Sequence, residues 1–252
     1  MYKTKNILMG EVFKNKNNEF FNKIDNELKA YMLGYFVADG SITNAKRNRQ
    51  ENISICQIEK DRYIIDLFHK NINPSSKINI HVYKLKNGST NTRLTFKVTS
   101  SIMAKDLNNL NVFNNKSYKE INLPLINDEF YKHFIRGFFD GDGTAGLYHY
   151  KVKGNLKKYN NYRRVISFVC NSKVLLEEIQ SMLVKNNIFF TIHKEKTFYR
   201  LRCLTKDSIE KFYHYVYDNS EFYLERKKNK IEELLLTPNE IRDLKIFDPC
   251  NA

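Results

Sequence analysis

The sequence predicts an α+β protein made of two pseudo-symmetric αββαββα units, and three observations predict it. An apolar run, YMLGYFVADG at residues 31–40, returns as IRGFFDGDG at 135–143, with Gly34 and Gly137, Ala38 and Gly141, and Asp39 and Asp142 each 103 positions apart. A period this long marks a duplicated domain, since solenoid units run to about 20–50 residues. Each run is followed by the same succession of patterns: two alternating stretches, an amphipathic one, two alternating ones and a second amphipathic one. Alternation of apolar with polar residues is the mark of antiparallel strands covered on one face only.

Residues 1–24 are rich in Lys and Asn, with Val12, Phe13, Phe20 and Phe21 as anchors, and read as an arm before the first unit at 25–114. Asp25 is placed as the N-cap of the first helix and Gly40 as its αL C-cap. This helix is too apolar to be exposed on any side, so it should be buried. Gly34 and Ala38 lie four apart on one helical face, as do Gly137 and Gly141. A glycine inside a helix costs on the order of 1 kcal/mol against alanine unless packing offsets it. Small residues at this spacing let two backbones approach, so each motif helix is predicted to pack on the other. That packing brings Asp39 and Asp142 to one end. Carboxylates there face the negative end of each helix dipole and repel one another, which calls for a hard divalent cation, Mg2+ by default.

After Gly40 the chain is polar and basic, through Lys46, Arg47 and Arg49, up to a strand at 52–58, which makes a hairpin with a basic tip. Residues 61–72 read as an amphipathic helix stopped near Pro74. A second hairpin follows at 77–100, with its turn at Asn87 and Gly88. Residues 100–113 form the closing helix, 115–126 a linker, and 127–236 the second unit. There 165–188 mirrors 53–72, 189–206 mirrors the second hairpin, and 207–217 mirrors the closing helix. The first hairpin is longer in this copy: Asp39 to Gln57 is 18 positions, whereas Asp142 to Asn171 is 29. The extra residues fall in the basic stretch carrying Lys151, Lys153, Lys157, Lys158, Arg163 and Arg164. A tail at 237–252 contains one short helix, at 238–244.

Strand alternation turns Ile78, Ile80, Val82 and Leu85 inward, while Lys77, Asn79, His81, Tyr83 and Lys86 point the other way. Arg93, Thr95 and Lys97 alternate with Leu94, Phe96 and Val98. Arg200 and Arg202 alternate with Tyr199, Leu201 and Cys203, and His193, Lys194 and Lys196 lie on the paired strand and turn. Any one such strand could simply be solvated, but every hairpin carries basic and amide residues and few carboxylates. The formal net charge of +14 and pI near 9.4 point to a polyanionic partner. AT-rich coding, which favours Lys, Asn, Ile and Tyr, accounts for part of the excess. Two-stranded ribbons fit the major groove of a duplex, where Arg, Lys, Asn and Gln read base edges. Two such sheets side by side span about 40–60 Å, or roughly 12–18 base pairs. Exposed aromatic platforms, as in readers of single strands, are not evident.

The four cysteines show neither CxxC nor zinc spacing and read as reduced thiols. No signal peptide or membrane-spanning run is seen, so an intracellular site is expected: cytoplasm, nucleoid or an organelle matrix. The chain starts at Met, without the Cys or Ser of an intein, and lacks a final His-Asn, so a free-standing protein is expected.

The paired motifs resemble those of the LAGLIDADG homing endonucleases in their single-chain form with two motifs. The resemblance implies motif helices at a pseudo-twofold interface and two sheets forming a saddle for double-stranded DNA. It implies metal binding by Asp39 and Asp142, with carbonyls of Ala38 and Gly141 as further ligands, two or three Mg2+ ions held with the DNA, and a monomer that hydrolyses both strands of a long asymmetric site. It also implies a lysine beyond each closing helix, here Lys116 and Lys227, the latter flanked by Arg226 and Lys228. Gln57 and Asn171 take the strand-end position where the family uses an amide to orient water or metal. Lys97 and Arg202 are further candidates for the cationic role. Two alternatives stay open on the same fold: an RNA maturase acting on intron RNA, and a non-catalytic DNA-binding regulator.

Overall fold

The protein is seen in a computed structural model that describes residues 16–44, 51–113, 120–149, 162–237 and 239–240. In the first unit α1 (Glu27–Asp39) leads into β1 (Gly40–Asn44) and β2 (Glu51–Ile58), then α2 (Arg62–Ile72), β3 (Asn79–Lys84), β4 (Thr90–Thr99) and α3 (Ser101–Asn109). The second unit repeats this as α4 (Tyr131–Asp142), β5 (Thr144–His149), β6 (Tyr162–Cys170), α5 (Lys173–Lys185), β7 (Thr191–Lys194), β8 (Tyr199–Cys203) and α6 (Lys206–Tyr217). Both sheets are antiparallel, in the orders β1-β2-β4-β3 and β5-β6-β8-β7. A further helix, α7 (Glu225–Leu235), follows the second unit; the sequence reading ends that unit's helices at α6. Among the described residues no helix is long and apolar enough to cross a membrane.

The N-cap of α1 is Asn26, one residue later than expected, its side chain accepting the Lys29 N–H at 3.0 Å. Asp25 instead pairs with Lys29 Nζ at 3.1 Å. Gly40 is not an αL cap either: its φ of −75° and ψ of 157° are extended. It is glycine for want of room, because a Cβ there would lie 2.2 Å from the Phe36 ring. Gly143 repeats the arrangement against Phe139.

The motif helices pack as the small residues predict. A Cβ on Gly34 would sit 2.0 Å from the Phe134 carbonyl oxygen, and one on Gly137 would sit 2.0 Å from that of Tyr31. These are one contact made twice, since Tyr31 and Phe134 obey the same 103-residue offset, and the pair is therefore related by a pseudo-twofold axis. Ala38 and Gly141 meet across that axis, where a Cβ on Gly141 would lie 2.4 Å from the Ala38 Cβ. A self-paired position has space for a single methyl, which is why the two copies differ there.

Each sheet turns one face to the helices. Ile53, Ile55, Leu94, Phe96 and Val98 are buried with Ile64, Ile65 and Phe68 of α2; Ile166, Phe168 and Leu201 are buried with Leu175, Leu176 and Ile179 of α5. Each such side chain contributes roughly 1.5–3 kcal/mol on leaving water. Phe138, Phe139, Phe190 and Phe212 surround Phe168 with ring centroids 5.4–5.9 Å away. The inward assignment for β3 is overturned. Ile80, Val82 and Leu85 are 60%, 61% and 40% exposed; Ile78 alone of the four packs on the core. β3 is an edge strand, and α2 lies over β2 and β4 instead.

The second motif helix also carries charges where the first has none: Arg136 and Asp140 stand at the positions of Leu33 and Val37, and all four are buried. The Arg136 guanidinium donates to the carbonyls of Phe222 (2.7 Å) and Val216 (2.6 Å) and to Glu27 Oε1 (2.6 Å). Asp140 accepts from Tyr31 Oη (2.8 Å), Tyr217 Oη (2.8 Å) and the Leu224 N–H (2.7 Å). Burial pushes its carboxyl up to about 6, against the pull of these donors and of Arg136.

Two stability predictions follow from this packing. Alanine at Gly34 or Gly137 should cost about 1–3 kcal/mol or more, as overpacking does, whereas Gly88→Ala, in open space at φ +84°, should cost only the left-handed backbone term of about 1–2 kcal/mol. Arg136→Met, which takes the guanidinium from Glu27 and from the two carbonyls, should destabilise by about 3–5 kcal/mol. Urea unfolding of the variants checks both.

Candidate active site

The two motif acids lie at one pole of the helix pair. Asp39 Oδ2 is 3.4 Å from the place a Cβ on Gly141 would take, one residue short of Asp142. Asp39 immediately precedes β1, and Asp142 comes two residues before β5, so the pole lies where both sheets begin. Asp39 is exposed and Asp142 half-buried.

Gln57 Nε2 donates to Asp39 Oδ2 at 2.8 Å. The register pairs Gln57 with Leu94 and Ile55 with Phe96, so Gln57 stands on the helix-covered face, near the end of α1. Asn171, just past β6, shares a cleft of about 210 Å3 with Asp142, walled by Val37, Ala38, Ile121, Val169 and Cys170. Ile121 belongs to the linker, which docks on the start of α5: its N–H donates to Ser172 Oγ at 3.0 Å, and Ser172 Oγ donates to Glu120 at 2.9 Å.

Of the three neighbouring cations on α7, Lys227 is the one at the pole. Its Nζ donates to the Gly143 carbonyl and lies 5.6 Å from the Phe139 ring centroid. Burial pushes its pKa down and the Arg226 charge adds to this, while Asp140, Asp39 and Asp61 pull it back up. Arg226 is engaged elsewhere, with Nε and Nη2 each 2.6 Å from an oxygen of Asp61, and Lys228 Nζ sits 4.7 Å over Tyr223. Lys116 lies outside the described residues, as do Lys46, Arg47, Arg49, Lys151, Lys153, Lys157 and Lys158.

Among the described residues no three His, Cys, Asp or Glu side chains cluster as a metal cage. Two carboxylates with carbonyl and amide oxygens nearby form a hard, oxygen-rich donor set. It fits Mg2+, which keeps several waters and is held by one or two carboxylates together with phosphate oxygens.

The faces of the sheets turned away from the helices are basic and neutral. Among the described residues the strands hold one acid, Glu51, and its alternation with Ile53 puts it on the covered side. In the first sheet Asn79, His81 and Tyr83 face Thr95, Arg93 and Asn91 across the β3–β4 ladder. His81 stacks on Tyr83 with centroids 6.0 Å apart, and the Arg93 guanidinium lies 5.5 Å from the Tyr83 centroid. Lys97 is exposed on the same face, and Lys77 and Lys86 are exposed beyond the ends of β3. In the second sheet Arg202 Nη2 is 3.2 Å from His193 Nε2, and Arg200 reaches Ser167 Oγ at 3.3 Å and Glu195 at 3.2 Å. Arg202 Nε is buried without a hydrogen-bond partner. Arg163 and Lys196 are exposed.

Two expected members of this face lie elsewhere. Arg164 alternates to the helix side and caps α7, donating to the carbonyls of Leu234 (2.5 Å) and Leu236 (2.8 Å). Lys194 pairs with Tyr199, so it shares the face of Ile192 and not that of His193. Sequence reading also missed Asp61 and Asp140, which hold the start of α7. Only Asp140 left a signal there, as a charge inside an apolar run; Asp61 reads as an ordinary first-turn acid.

Residues 129–217, most of the second unit, match the family model of the LAGLIDADG-like domain. A curated relative, DNA-directed RNA polymerase subunit Rpo1C of Methanocaldococcus jannaschii, is 27% identical over 239 residues, 91% of this chain and 24% of that one. The chain thus spans about a quarter of that relative's length. Among solved structures, the I-SmaMI LAGLIDADG homing endonuclease bound to cleaved DNA is similar with a TM-score of 0.57 at 16% identity, over 89% of this chain and 97% of that one. The I-LtrWI LAGLIDADG homing endonuclease bound to target DNA gives 0.56 at 15% identity, over 91% and 92%. I-SmaMI on uncleaved DNA in the presence of calcium ions gives 0.55 at 14%, over 88% and 98%. At these identities the likeness is one of fold. The second unit thus matches the LAGLIDADG-like domain, the first unit repeats its plan, and the chain shares the fold of these LAGLIDADG homing endonucleases along nearly its whole length.

Proposed function

We propose that this chain is a site-specific DNA endonuclease that hydrolyses phosphodiesters on both strands of a long, asymmetric duplex site with Mg2+, in the manner of a homing endonuclease. The observation that carries the reading is the meeting of Asp39 and Asp142 at one pole, where two sheets begin whose described strands turn basic and neutral side chains to their open faces. The DNA-bound state of the similar structures supports the substrate class. Because the pseudo-twofold axis lies within one chain, a monomer supplies both acids.

Asp39 and Asp142, with the carbonyls of Ala38 and Gly141, would hold two or three divalent ions together with DNA oxygens. When bound, such ions lower the pKa of a water and stabilise the departing oxygen. Gln57 gives its N–H to Asp39, which fixes that carboxylate and leaves the amide oxygen to accept from water. Asn171 serves the second half in the same way. Lys227 brings positive charge to a centre that gains negative charge in the transition state, and Lys116 is assigned the matching place in the first half. Asn79, His81, Tyr83, Arg93, Thr95, Lys97, His193, Arg200 and Arg202 would meet phosphates and base edges. Lys77, Lys86, Arg163 and Lys196, with the basic hairpin tips, would extend the footprint along the backbone. The two faces differ residue by residue, so the site read is asymmetric.

A randomised duplex library tests the proposal. The wild-type chain should cut a subset of it with Mg2+ and none with EDTA. Asp39→Asn and Asp142→Asn should each lower double-strand cleavage by about 100-fold or more while a gel shift in Ca2+ stays within a few-fold of wild type; normal cutting by both variants would sink the proposal. Arg93→Ala should weaken binding and, if it contacts phosphate, flatten the logarithmic salt dependence by about one, as titration over a range of KCl concentrations would report.

A further inference from the structure

Two carboxylates outside the motif pair hold the start of α7, one from each unit. Asp140 on α4 accepts the Leu224 N–H at 2.7 Å. Asp61, which ends the 3-10 turn before α2 and is 3% exposed, takes Arg226 Nε and Nη2 on its two oxygens, each at 2.6 Å. The Leu224 carbonyl in turn accepts the N–H groups of Lys227 (2.9 Å) and Lys228 (3.1 Å). Lys227 follows Arg226 directly, and its ammonium ends on the Gly143 carbonyl, beside Asp142.

On a helix the direction of one side chain fixes that of the next. A bidentate Arg–carboxylate pair is directional in a way a lysine contact is not. Here its fixed partner belongs to the other unit, so the first unit sets the rotation of a helix whose lysine serves the second. We propose that Asp61, acting through Arg226, is a positioning residue that holds Lys227 at the reaction centre; this rests on the endonuclease reading above. Neither residue touches the reacting atoms. Since Lys227 sits at the second motif and Lys116 is assigned to the first, loosening it should slow one strand more than the other.

The test compares wild type, Asp61→Asn, Arg226→Lys and a Lys227→Met benchmark in three measurements: single-turnover cleavage followed strand by strand, thermal unfolding, and the acetylation rate of Lys227 Nζ by an N-hydroxysuccinimide ester, read by mass spectrometry against exposed lysines of the same chain. Asp61→Asn and Arg226→Lys should slow one strand by about 10–100-fold, build up nicked duplex as Lys227→Met does, and raise Lys227 labelling several-fold. Unchanged labelling overturns the proposal whatever happens to cleavage. Equal slowing of both strands with a lowered Tm overturns it too, since that is the mark of a merely structural pair. If the wild type cuts no DNA while Asp61→Asn still raises labelling, the hold of Asp61 on Lys227 stands and the endonuclease reading is what fails.

Discussion

The structure depends on one close approach, that of α1 and α4 at Gly34 and Gly137. At each crossing a glycine faces the backbone carbonyl of the partner helix with no room for a Cβ. The contact repeats about a pseudo-twofold axis, so it fixes separation, orientation and register of the two helices together. Everything at their ends inherits that precision. Each helix stops at an acid, turns through a glycine kept free of a Cβ by a phenylalanine ring, and starts the first strand of its sheet. Helix packing, acid pairing and sheet placement are therefore one constraint with three consequences.

Around this symmetric contact the copies diverge. Arg136 and Asp140 replace aliphatic residues of the first copy, and between them they anchor the chain from Val216 to Leu224 to the motif helix. This buried polar set is fully donor-matched at Asp140 and costs desolvation that an apolar pair would not, but it directs the segment that leads to α7. The axis governs the core while Asp140 of the second unit and Asp61 of the first hold α7, and a protein with a symmetric centre thereby acquires unlike halves. An asymmetric polyanion is the natural match for such a surface.

What was legible in the sequence was what rests on periodicity and on steric necessity. The 103-residue repeat, the small residues at four-residue spacing and the strand alternation are enough for the helix pair, both sheets and the shared pole. What was illegible rests on edges and on long-range partners. Ile80 and Val82 alternate as core residues do, yet they lie on an edge strand that no helix covers. Arg164 falls in a basic run and reads as a groove residue, but its parity carries it to the carbonyl end of α7, a helix that the reading did not contain. Asp61 finds Arg226 from 165 positions away, and nothing local to either residue announces the pair. The N-cap moved by one residue because Asn26 and Asp25 are both good caps, and the lysine four residues on draws Asp25 away.

The electrostatics of the pole bear on the proposal that a metal and not a lysine answers it. Like charges gathered at one pole repel, and the C-terminal ends of two helices add to the negative potential. A nearby ammonium could neutralise this, yet Lys227 donates its hydrogen bond to the Gly143 carbonyl and lies over the Phe139 ring. Arg226, the stronger carboxylate partner, is drawn off by Asp61. The group that does bond Asp39 is the neutral amide of Gln57, which orients the carboxylate without cancelling its charge. On the proposed reading, this keeps cations close enough to act on a substrate's charge while the Asp39 carboxylate keeps its own charge for a hard ion, an arrangement that a purely structural acid pair would have no reason to keep.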